Sequence, residues 1–339
     1  MNATVLVTGG NGFVGSHCIV ELLRQGFQVR ATLRDLSKEA PARTAIAATG
    51  APLESLSFVA VQLTQDAGWD TALHGCDYVL HVASPLGAAQ PNDPNELIVP
   101  ARDGTLRVLA AAARAAVKRV VITSSTAACA QRVASTDSHN DETVWTDPTD
   151  PDLNAYRLSK VLSERAAWDF MASYSGAMSL TTLLPSAILG PVLTKDNLGS
   201  AQIIQRMLAG RPPALPRVGF CVVDVRDLAA LHVRAMLTPH AAGQRFIAAG
   251  DFLWFADMAR MLKSEVGERA AKVPTRIMPD PVVRLLSLFL KPLRAITPGL
   301  GRRHVFNSDK ARRMLEFAPR PATQTIVDCA RSLLAEPQH

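Results

Sequence analysis

Tyr156 and Lys160, in the segment Tyr156-Arg157-Leu158-Ser159-Lys160, stand four residues apart and could move a proton together. The surrounding apolar spacing predicts a helix over 154–174, and on a helix residues i and i+4 share a face, one above the other. A free tyrosine titrates near 10 and is a poor acid or base at neutral pH. An ammonium beside it favours the phenolate and lowers that value. The same spacing also describes an ordinary surface contact, so the pair gains meaning only from its neighbours.

Those neighbours are strand ends. Short apolar runs at 4–7, 27–33, 56–61, 77–82, 119–123 and 179–184 alternate with helical patterns at 13–25, 95–116 and 154–174. Parallel strands need crossover connections, so this rhythm predicts an α/β doubly wound parallel sheet of Rossmann type, covered on both faces. In such sheets ligands bind outside the carboxyl ends of the strands. The run 119–123 ends in Thr123-Ser124-Ser125-Thr126, where a hydroxyl can donate to a carbonyl oxygen as charge develops there. The neighbouring end, His81-Val82-Ala83-Ser84-Pro85, is placed to line the same cleft, with Ser84 and Pro85 toward a substrate. After about residue 185, Pro and Gly become frequent and the alternation turns irregular. The expected division is a dinucleotide-binding domain over 1–185 and, over 186–339, mainly a smaller α/β substrate lobe with segments returning to the sheet.

Between the first strand and first helix runs Val7-Thr8-Gly9-Gly10-Asn11-Gly12-Phe13-Val14-Gly15. Glycines at 9, 12 and 15 let the chain turn sharply, approach a pyrophosphate closely and pack the helix on the sheet. The helix N-terminus then offers free N–H groups and partial positive charge to the phosphates. Alone such a pattern is weak, but strand, loop and helix in this order make it a dinucleotide site. The second strand decides which dinucleotide: it ends Ala31-Thr32-Leu33-Arg34-Asp35. Leu33 occupies the place of the acid that grips NAD ribose hydroxyls, and Arg34 follows with a guanidinium shaped for a 2′-phosphate. Asp35 reads as an N-cap or an Arg34 partner. The expected cofactor is NADPH (NADP+), with Lys160 able to hydrogen-bond the nicotinamide ribose.

Composition narrows the rest. Of 339 residues, 48% are apolar and 19% charged, which suits a buried core and excludes a disordered chain. The net charge is +6, yet no Lys/Arg run exceeds two residues and no aromatic platform interleaves them, so nucleic acid is not an expected partner. Five scattered cysteines lack C-x-x-C spacing and read as buried apolar residues, with no metal site. The N-terminus shows no secretory pattern, and the apolar stretch 282–290, punctuated by Arg284 and Lys291, is too short to span a bilayer. It reads as a helix packing on the substrate lobe, with membrane contact as the alternative; a cytoplasmic protein, free or as a homodimer, is the expectation.

The motifs together resemble the dihydroflavonol reductase, cinnamoyl-CoA reductase and aldehyde (methylglyoxal) reductase branch of the extended short-chain dehydrogenases/reductases. Carrying the resemblance are T-G-G-N-G-F-V-G-S-H (8–17), A-T-L-R-D (31–35), G-C-D-Y-V-L-H-V-A-S-P (75–85), T-S-S (123–125), Y-R-L-S-K (156–160), L-P-S-A-I-L-G-P (184–191) and F-N-S-D-K-A-R-R-M-L (306–315). The resemblance implies a Ser-Tyr-Lys triad at Ser125, Tyr156 and Lys160, and a segment behind the nicotinamide at Pro185 and Ser186. It implies reduction of a small-molecule aldehyde or ketone, with Tyr156 protonating the oxygen. Where relatives carry Ala-Asp-Leu after the third strand, this chain has Val61-Gln62-Leu63, so Gln62 takes the place of an adenine-binding aspartate. Leu315-Glu316-Phe317 replaces the usual Leu-Gly-aromatic. Nucleotide-sugar epimerases or dehydratases and 3β-hydroxysteroid-type dehydrogenases share fold and triad and remain alternatives; a non-catalytic dinucleotide sensor fits less, since such proteins tend to lose the tyrosine. Substrate-pocket candidates are Ala127, Ala128, Gln131, Ile188, Ile204 and Met207, on loop-like segments 127–140 and 193–220, with ordinary core packing as their other reading.

Overall fold

The structure is a computed structural model that describes residues 3–85, 93–132, 137–194 and 198–335. In chain order, β1 (Thr4–Val7), α1 (Phe13–Arg24), β2 (Gln28–Leu33), α2 (Glu39–Ala47), β3 (Leu56–Ala60), α3 (Trp69–Leu73) and β4 (Tyr78–His81) build the first half of a sheet. Then come α4 (Asn95–Arg114), β5 (Arg119–Thr123), β6 (Ser138–Asn140), α5 (Ala155–Ser173), β7 (Ser179–Pro185), β8 (Ala187–Leu189), α6 (Gln202–Leu208), β9 (Gly219–Asp224), α7 (Val225–Leu237) and β10 (Gln244–Ala248). The chain closes with β11 (Phe252–Trp254), α8 (Phe255–Val266), α9 (Asp280–Ser287), α10 (Lys291–Ile296), β12 (His304–Phe306), α11 (Asp309–Leu315) and α12 (Ala322–Leu334).

Seven strands form one sheet in the order β10-β7-β5-β4-β1-β2-β3, and every pair in it is parallel. Val5, Leu6 and Val7 are wholly buried because helices cover both faces, which is why these strands are continuously apolar. One face packs α1, α7 and α11 around Ile19, Leu231 and Leu315. The other packs α3, α4 and α5 around Trp69, Leu109 and Ala167. Strand order reverses between β1 and β4, creating the crevice at the strand ends where α/β sheets take ligands. All five cysteines are buried free thiols.

A smaller layer follows. β11-β9-β8 form a three-stranded sheet, and α6, α8 and α12 bury Ile204, Met207, Met258 and Ile326 in a separate core. α7 and β10 return to the large sheet. β6 and β12, distant in sequence, pair in parallel beside it. Residues 282–290 pack on the C-terminal lobe by one face only: Val283 sits against Val218 and Leu300 and Ser287 is buried, whereas Leu285, Leu288 and Phe289 are 61%, 63% and 78% exposed.

Candidate active site

The ends of β1 and β4 are stitched together by one side chain. Thr8 Oγ1 accepts from the N–H groups of Val82 (3.0 Å) and Ala83 (2.9 Å). Its hydroxyl also pairs with His81 Nδ1 at 2.9 Å. With both N–H groups filling the oxygen's lone pairs, Thr8 must donate to His81, leaving the imidazole proton on Nε2, 3.4 Å from Thr105 Oγ1. Burial and the Lys160 charge push His81 down to about 3, so this histidine is a neutral relay.

Immediately beyond, the chain takes a shape that side chains cannot follow. Gly9 has φ +72°, and a Cβ on Gly15 would lie 2.2 Å from the Gly9 carbonyl oxygen. Gly12 precedes α1 and supplies no side-chain cap, so the N–H groups of Phe13, Val14 and Gly15 face outward from the helix start, where an anion is favoured. This cradle, which a Cβ would fill, fits a dinucleotide pyrophosphate. At the end of β2, Asp35 caps a short 3₁₀ turn by accepting from Ser37 N–H at 2.9 Å and Ser37 Oγ at 2.7 Å. Those bonds hold its carboxyl below the usual range. Asp35 is thus the N-cap of the two readings, and Arg34 beside it is exposed at the strand end. Gln62, just past β3, is exposed as well, and Leu63 is half-buried.

The catalytic candidates come from α5 and the end of β5. Asn154 caps α5, its side chain accepting from Arg157 N–H at 2.9 Å, which fixes Tyr156 in the helix's first turn. The Ser125 side chain lies close enough to the Tyr156 phenol to favour its ionised form. Ser125 is half-buried and accepts from Ala127 N–H at 3.1 Å, whereas Ser124 is buried and donates away from the cleft to Glu164. Lys160, one turn beyond Tyr156, is buried with Nζ 3.4 Å from the Thr123 carbonyl oxygen. The Thr123 hydroxyl points to the opposite side and pairs with His232 Nε2 at 2.7 Å.

Burial drives the titration here. It pushes the Lys160 ammonium down to about 8, with Glu164 countering part of that. Tyr156 as a whole stays 37% exposed, but crowding around its phenol raises its pKa, and the nearby Ser125 side chain offsets only part of the rise. Burial is thus the largest influence that the fold itself places on the phenol and favours its protonated form; the expected lowering draws on Lys160 together with the charge of an oxidised nicotinamide.

Beneath these groups lies a buried ion pair that sequence reasoning passed over. Glu164, fully buried, accepts from Arg245 Nε at 2.8 Å and from Thr182 Oγ1 at 2.9 Å, in addition to Ser124. Arg245 donates onward to the carbonyls of Glu142 (2.8 Å) and Val144 (3.0 Å) and stacks 3.6 Å over the Trp145 ring. The network joins α5, β5, β7 and β10 directly behind the cleft. Its sequence signal was present: positions 156, 160 and 164 continue one i+4 stripe, with a carboxylate on an otherwise buried face.

Other expected site residues are placed around the same edge. Val82 and Ala83 carry the amides that Thr8 holds, and Ser84 and Pro85 follow, half-buried. Pro185 ends β7, and Ser186 N–H donates to the Ala248 carbonyl at 3.1 Å. Several substrate-pocket candidates resolve to core. Ala128 is fully buried, and Ile204 and Met207 lie inside the smaller layer because α6 turns that face onto α8 and α12. Ala127 is buried beside Ser125, Ile188 packs between the two large cores, and Gln131 is exposed. Residues 133–136 and 195–197 of the two loop segments lie outside the described residues.

A doubly wound sheet, a side-chain-free phosphate cradle and a Ser-Tyr-Lys cluster at the next strand ends define a dinucleotide-binding enzyme fold of the extended short-chain type. The chain belongs to the NAD dependent epimerase/dehydratase family, whose profile matches residues 5–249. It is 30% identical to ketoreductase azaE of Aspergillus niger, with 98% of each chain covered. Cinnamoyl-CoA reductase 1 of Oryza sativa subsp. japonica is 36% identical over 76% of this chain and 75% of its own. Among solved structures, Gre2 from Candida albicans in complex with NADPH superposes with TM-score 0.81 at 26% identity, covering 98% of both chains. Yeast methylglyoxal/isovaleraldehyde reductase Gre2 complexed with NADPH shares the fold at TM-score 0.82 and 24% identity, again over 98% of both.

Proposed function

We propose that this protein is an NADPH-dependent oxidoreductase that reduces an aldehyde or ketone carbonyl to an alcohol, with Tyr156 as the proton donor. The observation that carries the reading is the convergence beyond β5 of Ser125, beside the Tyr156 phenol, and of Lys160, buried one helical turn away with Nζ 3.4 Å from the Thr123 carbonyl oxygen. The reductase relatives support the class of reaction.

Binding falls to the backbone of Gly9 to Gly15 for the pyrophosphate, Arg34 for the 2′-phosphate, and Lys160 for the nicotinamide ribose. Thr8, through its hold on Val82 and Ala83, keeps the crevice floor rigid. When bound, the reduced nicotinamide supplies the hydride. Ser125 donates to the substrate oxygen and steadies the negative charge that grows there. Tyr156, which the fold keeps protonated, then delivers its proton to that oxygen. The Lys160 ammonium stabilises the phenolate left behind until it is reprotonated.

NADPH oxidation followed across aromatic aldehydes, 2-oxo aldehydes, β-keto esters and flavonoid ketones tests the reading. Substrate-dependent turnover with at least one of these classes is expected. Purification with a tightly held NAD chromophore, and no turnover across the panel, would instead identify an epimerase or dehydratase.

A further inference from the structure

The chain's positive charge is not spread evenly. Residues 272–303 hold seven Lys and Arg residues against a single acid, Asp280, so this segment alone accounts for the +6 of the entire molecule. Asp280 is itself engaged by Arg217 from outside the segment at 2.5 Å. Lys272, Arg276, Arg284, Arg294 and Arg303 are exposed.

The same segment presents the most exposed large apolar side chains in the described structure. α9 is anchored by Val283, which packs on Val218 and Leu300. Its outward face carries Val282, Leu285 and Leu288 at intervals of three, followed by Phe289, with exposures from 43% to 78%. A surface helix of a globular protein ordinarily turns its polar face to water. Here the apolar face points out, with Arg284 on the helix itself and Arg294 donating to the Ser287 and Leu288 carbonyls at its end, the pattern of a helix that lies in the plane of a bilayer. A second copy of this chain would set one excess of positive charge against another, which disfavours self-association through this face.

We infer that the face built by α9, α10 and their flanks is a docking surface for an anionic lipid bilayer, with Leu285, Leu288 and Phe289 entering the headgroup region. No helix among the described residues is long and apolar enough to cross a membrane, so the contact is peripheral.

Co-sedimentation of the full chain with phosphatidylglycerol/phosphatidylcholine vesicles, against phosphatidylcholine alone, tests this. Binding to the anionic vesicles is expected to be at least about tenfold stronger and to weaken with salt. Replacing Leu285 and Phe289 together by Ser should cut partitioning by at least about tenfold. Arg276→Ala and Arg284→Ala should each cost about fivefold. NADPH binding and thermal unfolding of all variants should match the parent, since these side chains stand in solvent. Equal binding to neutral vesicles, no binding to either, or partitioning that the variants leave unchanged overturns the inference. So does a dimer in light scattering that the Leu285/Phe289 variant dissolves without any vesicle binding.

Discussion

Two regions of this molecule set cationic side chains beside apolar surface, and they do so in opposite ways. Behind the cleft, Arg245 is buried against Glu164 and Trp145, and its remaining donors reach backbone carbonyls. On α9, Arg284 stands in water beside leucines that also stand in water. A buried charge must be neutralised and hydrogen-bonded where it lies, because desolvation is otherwise prohibitive. An exposed one carries no such requirement and leaves its field to act on a partner. The first arrangement fixes a geometry; the second advertises a surface.

The contrast can be broken from either side. The largest stability change should follow Arg245→Leu, which strands Glu164 without a counter-charge. A loss of about 3–5 kcal/mol is expected by urea unfolding. The double variant Arg245→Leu with Glu164→Leu should recover most of it, whereas Arg284→Leu on the exposed face should change stability by less than about 0.5 kcal/mol. If Arg245→Leu were as mild as Arg284→Leu, the distinction between the two regions would fail.

A second effect is chemical. Lys160 titrates at about 8, below the ordinary lysine value. Its ammonium is therefore lost as pH rises through 8, and kcat/KM for carbonyl reduction should fall above that point, by about tenfold per pH unit. The stability consequence has the opposite sign. Between pH 8 and the ordinary lysine value near 10.4 the unfolded chain binds more protons than the folded one, so the contribution of Lys160 becomes less unfavourable as pH rises. A pH–rate profile flat to pH 9.5 would contradict the assigned role.

The smallest effect concerns Glu316, which ends α11 with φ +51°, a left-handed conformation that favours glycine. Glu316→Gly should raise stability by about 1 kcal/mol, seen as an increase in Tm of roughly 2 °C. The sequence had flagged this position because a glycine usually stands there. The structure shows the chain adopting the glycine-like turn with a glutamate.

What the sequence made legible was local. Strands such as Val5-Leu6-Val7 announce themselves because burial on both faces demands continuous apolar residues, and Gly9 and Gly15 because a side chain does not fit the turn there. The i+4 spacing placed Tyr156 and Lys160 on one face before any coordinate did. Hidden were features that depend on distant partners. Glu164 finds Arg245 eighty-one residues away, and β6 meets β12 through three-residue strands that have no period of their own. The direction of the Tyr156 shift was hidden for the same reason. Spacing reveals the ammonium nearby but not the depth of the protein around the phenol.

The central claim is that the Tyr156 phenol is the proton donor, and Tyr156→Phe tests it most directly. With a carbonyl substrate identified from the panel, kcat should fall about 100- to 10,000-fold, while NADPH titrated by fluorescence binds with its Kd unchanged. A Tyr156→Phe enzyme that turns over at the parental rate would contradict the account.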